Sequence, residues 1–197
     1  MPVVSGRPLA DSDEDVTMTT LVLLTGPPAT GKSTLANQAA ESLSAPVLGW
    51  DWVMAALTEF ETIQEALRGL SHLEHRRVGW SILWNTAIAQ LRRGSSVVLD
   101  GVARDVEVDR TRDVAESNAA ACLVVVTSCS DREVHRRRVE GRVRGIPGWH
   151  ELEWDHVASV LEGWEPPSDA DLYLDALNPL KENLDAIGQL IARSRTG

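Results

Sequence analysis

Lysine is nearly missing from this 197-residue chain. Lys32 and Lys181 are the only two, and every other strongly basic residue is arginine. Positive charge is short overall, with 19 Lys and Arg against 29 Asp and Glu and a formal net charge of −10. A protein of that sign does not bind nucleic acid or an anionic membrane through its overall charge, so any anion must be caught by a local site. Cysteine is limited to Cys122 and Cys129. They match no metal or CxxC spacing and read as reduced core residues. No apolar run approaches the length of a membrane span and no basic-then-apolar signal opens the chain, which gives the cytoplasm as the expected location. Phe and Tyr occur once each, whereas Trp occurs seven times. What remains, 43% hydrophobic and 24% charged, is the composition of one globular domain with a sizeable core.

The acidic stretch at 1–18, with Asp11, Asp13, Glu14 and Asp15, has no sustained periodicity and reads as a disordered tail. Met18 stands just before the first convincing strand, so the folded unit, at 19–197, is expected to begin about there, with Met18 a candidate translation start. From Leu21 onward short apolar runs alternate with helical patterns, as when parallel strands are joined by crossover helices. Strands are expected at 21–25, 46–50, 96–100, 122–127 and 171–175. Helices are expected at 32–43, 52–58, 72–93, 106–118, 131–143, 151–163 and 179–193. Between the second and third strands lie about 45 residues, several times what a minimal crossover needs. That length predicts a helical unit over the strand ends, about 52–93, for an acceptor. The Gly and Pro-containing stretch 144–150 suggests a lid spanning about 138–150.

Residues 26–33, GPPATGKS, fit GxxxxGK[ST], and Thr34 follows. A hydrophobic strand leads in and a helix runs out, which is the context that makes the motif specific. Glycines let the backbone curl so that successive N–H groups point into one concavity, and the helix N-terminus adds its positive end. The expected nucleotide contacts are Gly26, Pro27, Ala29, Thr30, Gly31, Lys32, Ser33 and Thr34, with Lys32 at the β and γ phosphates and Ser33 on Mg²⁺. The text nearest a guanine-reading NKxD is Asn178-Pro179-Leu180-Lys181, which lacks the aspartate. Adenine, and hence ATP, is the expected nucleotide.

Asp100 ends the strand pattern SVVLD and is the second expected Mg²⁺ group, though Asp-Gly is also a common turn. Asp51 follows PVLGW, where a carboxylate can take a proton from an acceptor hydroxyl. The competing reading is that it caps the helix that follows. Residues 132–144 hold six arginines against two glutamates. Arg138 and Arg142, spaced i and i+4 on the expected helix, are candidates to meet the nucleotide and to neutralise phosphate charge during transfer. Trp52, Trp84 and Arg104 are candidate acceptor contacts, although Trp80 and Trp84 also lie on a stripe that an ordinary core helix would show. The five histidines share no ligand spacing and carry no assigned chemistry.

Taken in order, GPPATGKST, VLGWD, VVLDG, RRRVEGR and ADLYLDALNPLKENLDAI resemble small P-loop kinases, the group containing shikimate and gluconate kinases, chloramphenicol phosphotransferase and zeta-toxin-like enzymes. The resemblance covers about residues 19–193. It implies an α/β three-layer sandwich with a five-stranded parallel sheet of order 2-3-1-4-5, a helical acceptor-binding insertion and a lid. It also implies Asp51 as base and the Arg138 and Arg142 pair on the nucleotide. The full FxDxD pattern of shikimate kinase is missing, as is an acceptor-phosphate arginine motif of nucleoside monophosphate kinases. The expected activity is transfer of the γ-phosphate of ATP to a hydroxyl of a small molecule. The alternatives are a nucleoside or nucleotide-sugar kinase, including zeta-toxin-like enzymes, and an ATP-hydrolysing regulatory protein with no acceptor.

Overall fold

The computed structural model describes residues 18–195. The acidic tail read from the sequence therefore lies, apart from Met18, outside the described residues. Five strands, β1 (Thr20–Thr25), β2 (Val47–Gly49), β3 (Val97–Asp100), β4 (Ala121–Ser128) and β5 (Leu172–Asp175), form one sheet of order β2-β3-β1-β4-β5. All neighbours are parallel, with Leu24 of β1 opposite Asp100 on one side and Val125 on the other. This is the sheet order the sequence resemblance implied.

Strand periodicity divides the core into two layers. Leu21 and Leu23 of β1, with Val97, Leu99 and Val124, face α4 (His72–Leu91) and α5 (Asp105–Glu116), where Trp80, Leu83, Val108 and Val114 are buried. Val22 and Leu24, with Val98 and Val125, face α1 (Lys32–Leu43) and α8 (Leu180–Ser194), where Leu35, Ala39, Ile187 and Ile191 are buried. Continuous apolar runs in the central strands are thus explained by burial on both faces. β2 is only half-buried, as an edge strand can be.

Past the carboxyl end of β2 come α2 (Trp50–Thr58), α3 (Glu61–Arg68) and α4. The last begins with a capping box, in which Ser71 Oγ accepts from the Glu74 N–H and Glu74 accepts from the Ser71 N–H. A further pair, α6 (Arg132–Glu140) and α7 (Trp154–Glu162), is separated by an irregular segment, 141–153.

Three expectations change here. Helix α3 was not foreseen: eight residues with only Ile63 and Leu67 on an apolar face give too short a period to register. Trp50, expected in a strand, opens α2, and its cap is Gly49 with no side-chain cap bond, so Asp51 sits in the first turn and does not cap the helix. The expected helix at 131–143 ends at Glu140 with Gly141 as its C-cap. Arg142 therefore lies beyond the helix, and Arg138 and Arg142 do not share a helical face.

Candidate active site

Gly26 leaves β1 with φ 137°, and Ala29 and Gly31 are also left-handed, at φ 62° and 89°. A side chain at Gly26 would place its Cβ 2.1 Å from the Thr127 carbonyl oxygen, so the loop can pack against β4 only with glycine there. Alternating backbone conformations of this kind turn amides into one hollow, at the start of α1. The turn is pinned from several sides. Thr30 Oγ1 lies 2.8 Å from the Pro27 carbonyl and 2.6 Å from Thr127 Oγ1. The buried His135 of α6 donates from Nε2 to the Pro28 carbonyl at 2.6 Å.

Lys32 Nζ donates to the Pro27 carbonyl at 2.8 Å, and the residue is buried. Burial pulls its pKa below the ordinary lysine value, while the charges of Asp100 and Asp51 oppose the shift. Asp100, at the end of β3, is pushed up by burial and drawn back by Lys32 and the Ser33 hydroxyl. The phosphate loop, Asp100 and Asp51 therefore form one electrostatic unit. Ser33 and Asp100 supply a hydroxyl and a carboxylate, the hard oxygen donors that Mg²⁺ prefers. Among the described residues, no group of three or more His, Cys, Asp and Glu side chains is arranged to hold a metal. An ion that keeps its waters and nucleotide phosphates as further ligands suits two protein oxygens.

Two hollows meet at this loop. A smaller one, of about 530 Å³, is lined by Ala29, Gly31, Ser33, Thr34, Arg138 and Arg142. Gly141 ends α6 between these two arginines, yet the turn leaves both on the same hollow. Arg138 is anchored by a 2.8 Å bond from Nη2 to the Ala176 carbonyl.

The larger cavity, of about 1110 Å³, runs from Lys32, Ser33 and Asp100 past Asp51 to α4 and α7. Trp52 and Arg104 line it, as do Trp50, Trp80, Trp149 and Trp164. Trp84 does not. It is stacked on Trp80 at 5.7 Å and donates from Nε1 to Thr111 Oγ1 at 3.0 Å, between α4 and α5. Arg104 caps α5, its N–H bonded to Glu107, while the Glu107 side chain pairs with Arg76 at 2.8 Å.

Arg144, which the sequence did not single out, crosses the cavity. Its side chain is almost wholly buried and donates to Asp51 at 2.9 Å and to the His150 carbonyl, with Glu151 at 3.5 Å. The Arg144 and Gly145 amides in turn donate to Glu151 and hold its carboxyl below the usual range. Only folding could reveal this contact, since Asp51 and Arg144 are 93 positions apart.

A glycine-bent phosphate loop between a central parallel strand and its helix, with an acidic neighbour on the next strand, defines a P-loop protein of the doubly wound α/β class. The profile of the AAA domain family matches residues 21–163, and the chain belongs to that family. Its structure resembles a gluconokinase from Sinorhizobium meliloti 1021 with a TM-score of 0.65 at 20% identity, covering 91% of this chain and 94% of that one. A sugar kinase from Janibacter sp. HTCC2649, solved unliganded, gives 0.64 at 21% identity, covering 90% and 96%. Kti12 from Chaetomium thermophilum in complex with ADP-AlF3 gives 0.67 at 18% identity, covering 90% and 100%. The chain thus has the P-loop kinase fold of the group its sequence resembles. No curated protein matches it significantly.

Proposed function

We propose that the protein is an ATP and Mg²⁺-dependent kinase that transfers the γ-phosphate to a hydroxyl of a small molecule. The observation that carries this reading is the shared cavity: Lys32, Ser33 and Asp100 stand at one end, Asp51 lines it with them, and the same cavity continues past them to α4 and α7. A protein that only hydrolysed ATP would have no use for that space.

In this reading the loop amides and Lys32 hold the triphosphate, while Arg138 and Arg142 contact the nucleotide from the smaller hollow. Such transfer depends on in-line positioning and charge neutralisation more than on covalent chemistry. Ser33 and Asp100 would hold Mg²⁺, which supplies charge neutralisation on the phosphates when bound. Asp51 orients or deprotonates the acceptor hydroxyl. The 138–150 segment acts as a lid over the helical acceptor unit at 52–93, and Arg144 closes it onto Asp51. Trp52 and Arg104 border the acceptor. Trp84 contributes through the core only.

The reading is tested by replacing Lys32 with alanine and following ATP binding and ADP formation together. Loss of ATP affinity by about tenfold or more, with ADP formation falling to background, is expected. Unchanged affinity and turnover would remove the phosphate loop from the mechanism. ADP formation that a broad pool of hydroxyl compounds never stimulates would favour an ATP-driven regulatory protein.

A further inference from the structure

The far end of the larger cavity has a chemistry of its own. Five of the seven tryptophans line the cavity. Trp50 meets Trp149 edge to face at 6.3 Å and His75 at 5.7 Å, and Trp149 lies against His150 at 4.8 Å, so the rings form a continuous wall. Room for it is built into the helix behind, because a Cβ on Gly79 would stand 2.3 Å from Trp50 Nε1. Burial lowers the pKa of His75 and of His150, which favours the uncharged form of both rings.

Charge at this end is already matched. Arg76 is paired with the buried Glu107 at 2.8 Å, and Arg144 with Asp51 and Glu151. An acceptor carboxylate would have to displace a protein carboxylate to reach either guanidinium. Arg104 is solvent-exposed, where an ion pair contributes little. Two donors on residues lining the cavity are buried with no hydrogen-bond partner among the described residues, Trp149 Nε1–H and Arg144 Nε–H, and the second lies 3.5 Å from the Glu151 carboxylate. The uncharged donor, Trp149 Nε1–H, suits one oxygen of an uncharged acceptor. A polyol would lay several hydroxyls against indole faces, which do not bond them.

Resting on the kinase reading above, we infer that the acceptor is an uncharged alcohol carrying a flat, largely apolar ring, stacked on the Trp50 and Trp149 wall with an oxygen on Trp149 Nε1, and neither a sugar acid nor an open-chain polyol. Aromatic faces and a single polar contact are what such a molecule requires.

The test is calorimetric binding of 2-naphthalenemethanol, 4-nitrobenzyl alcohol, gluconate and sorbitol to the full chain in the presence of a non-hydrolysable ATP analogue. Mass spectrometry of the same compounds after incubation with ATP follows. The ring alcohols are expected to bind at least about tenfold more tightly than gluconate or sorbitol. Trp149→Phe should weaken that binding by about fivefold, whereas Trp84→Phe, outside the cavity, should not. Ring-alcohol binding with no phosphorylated product would support the site and count against the kinase reading alone. Tighter binding or phosphorylation of gluconate or sorbitol would overturn the acceptor class while leaving the kinase reading intact. Binding of none of the four, or ring-alcohol binding indifferent to Trp149→Phe, would overturn the inference.

Discussion

The two ends of the large cavity are built on opposite plans. At the phosphate-loop end the backbone does the work: residues 26–33 are consecutive, three of them are left-handed, and buried hydrogen bonds of 2.6–2.8 Å pin the turn. At the far end side chains do the work, gathered from α2, α4, the 141–153 segment and α7. A contiguous hollow is set by local geometry and is ready before any ligand arrives. The far hollow is closed by side chains distant in sequence, through the Arg144–Asp51 ion pair and the contact of Trp149 with Trp50.

That contrast can be broken at either end. Asp51→Asn keeps the shape and removes the proton acceptor, so turnover should fall by about 10²–10³-fold while ATP affinity stays within about threefold. Near-normal turnover in steady-state kinetics would reduce Asp51 to an anchor for Arg144. Arg144→Met removes the strap without touching the loop. Turnover should fall by about tenfold, and cleavage by trypsin within 137–144 should become faster with ATP affinity retained. A variant as resistant as the parent would show that the ion pair does not hold the segment.

Trp84→Phe should cost about 1–2 kcal/mol of stability through lost packing and its bond to Thr111. Its kinetics should be those of the parent. A changed KM for the acceptor would put Trp84 back at the site.

The smallest effect concerns Asp100. Its carboxyl is raised in the folded state, chiefly by burial, so the folded protein binds that proton more tightly than the unfolded chain. This contribution to stability therefore falls as pH rises from the unfolded carboxylate value through the raised folded one. Asp100→Asn loses the dependence, and in denaturant titrations it should gain on the parent as pH rises through that window. A gain as pH falls would contradict the burial argument.

The same contrast explains what could be read from the sequence. Every strand was legible to within two residues, and in the central strands both-faced burial writes continuous Val and Leu runs such as VVLD and LVVV. The phosphate loop was legible as well, since its chemistry is local. Arg144 was not, because nothing in the Arg-rich run marks which member will meet a carboxylate 93 positions earlier. Gly141 misled in the other direction: a helical period carried across it joins Arg138 to Arg142, whereas the glycine ends α6 and a turn joins them. Among the tryptophans, spacing on one helix could not separate Trp80, which reaches the cavity, from Trp84, which faces α5.

The most direct test follows the γ-phosphate itself. With ATP labelled at that position and a mixture of ring-bearing alcohols, the label should appear in an organic phosphate, in amounts equal to the ADP formed. Label released only as inorganic phosphate, at a rate no alcohol changes, would contradict the account.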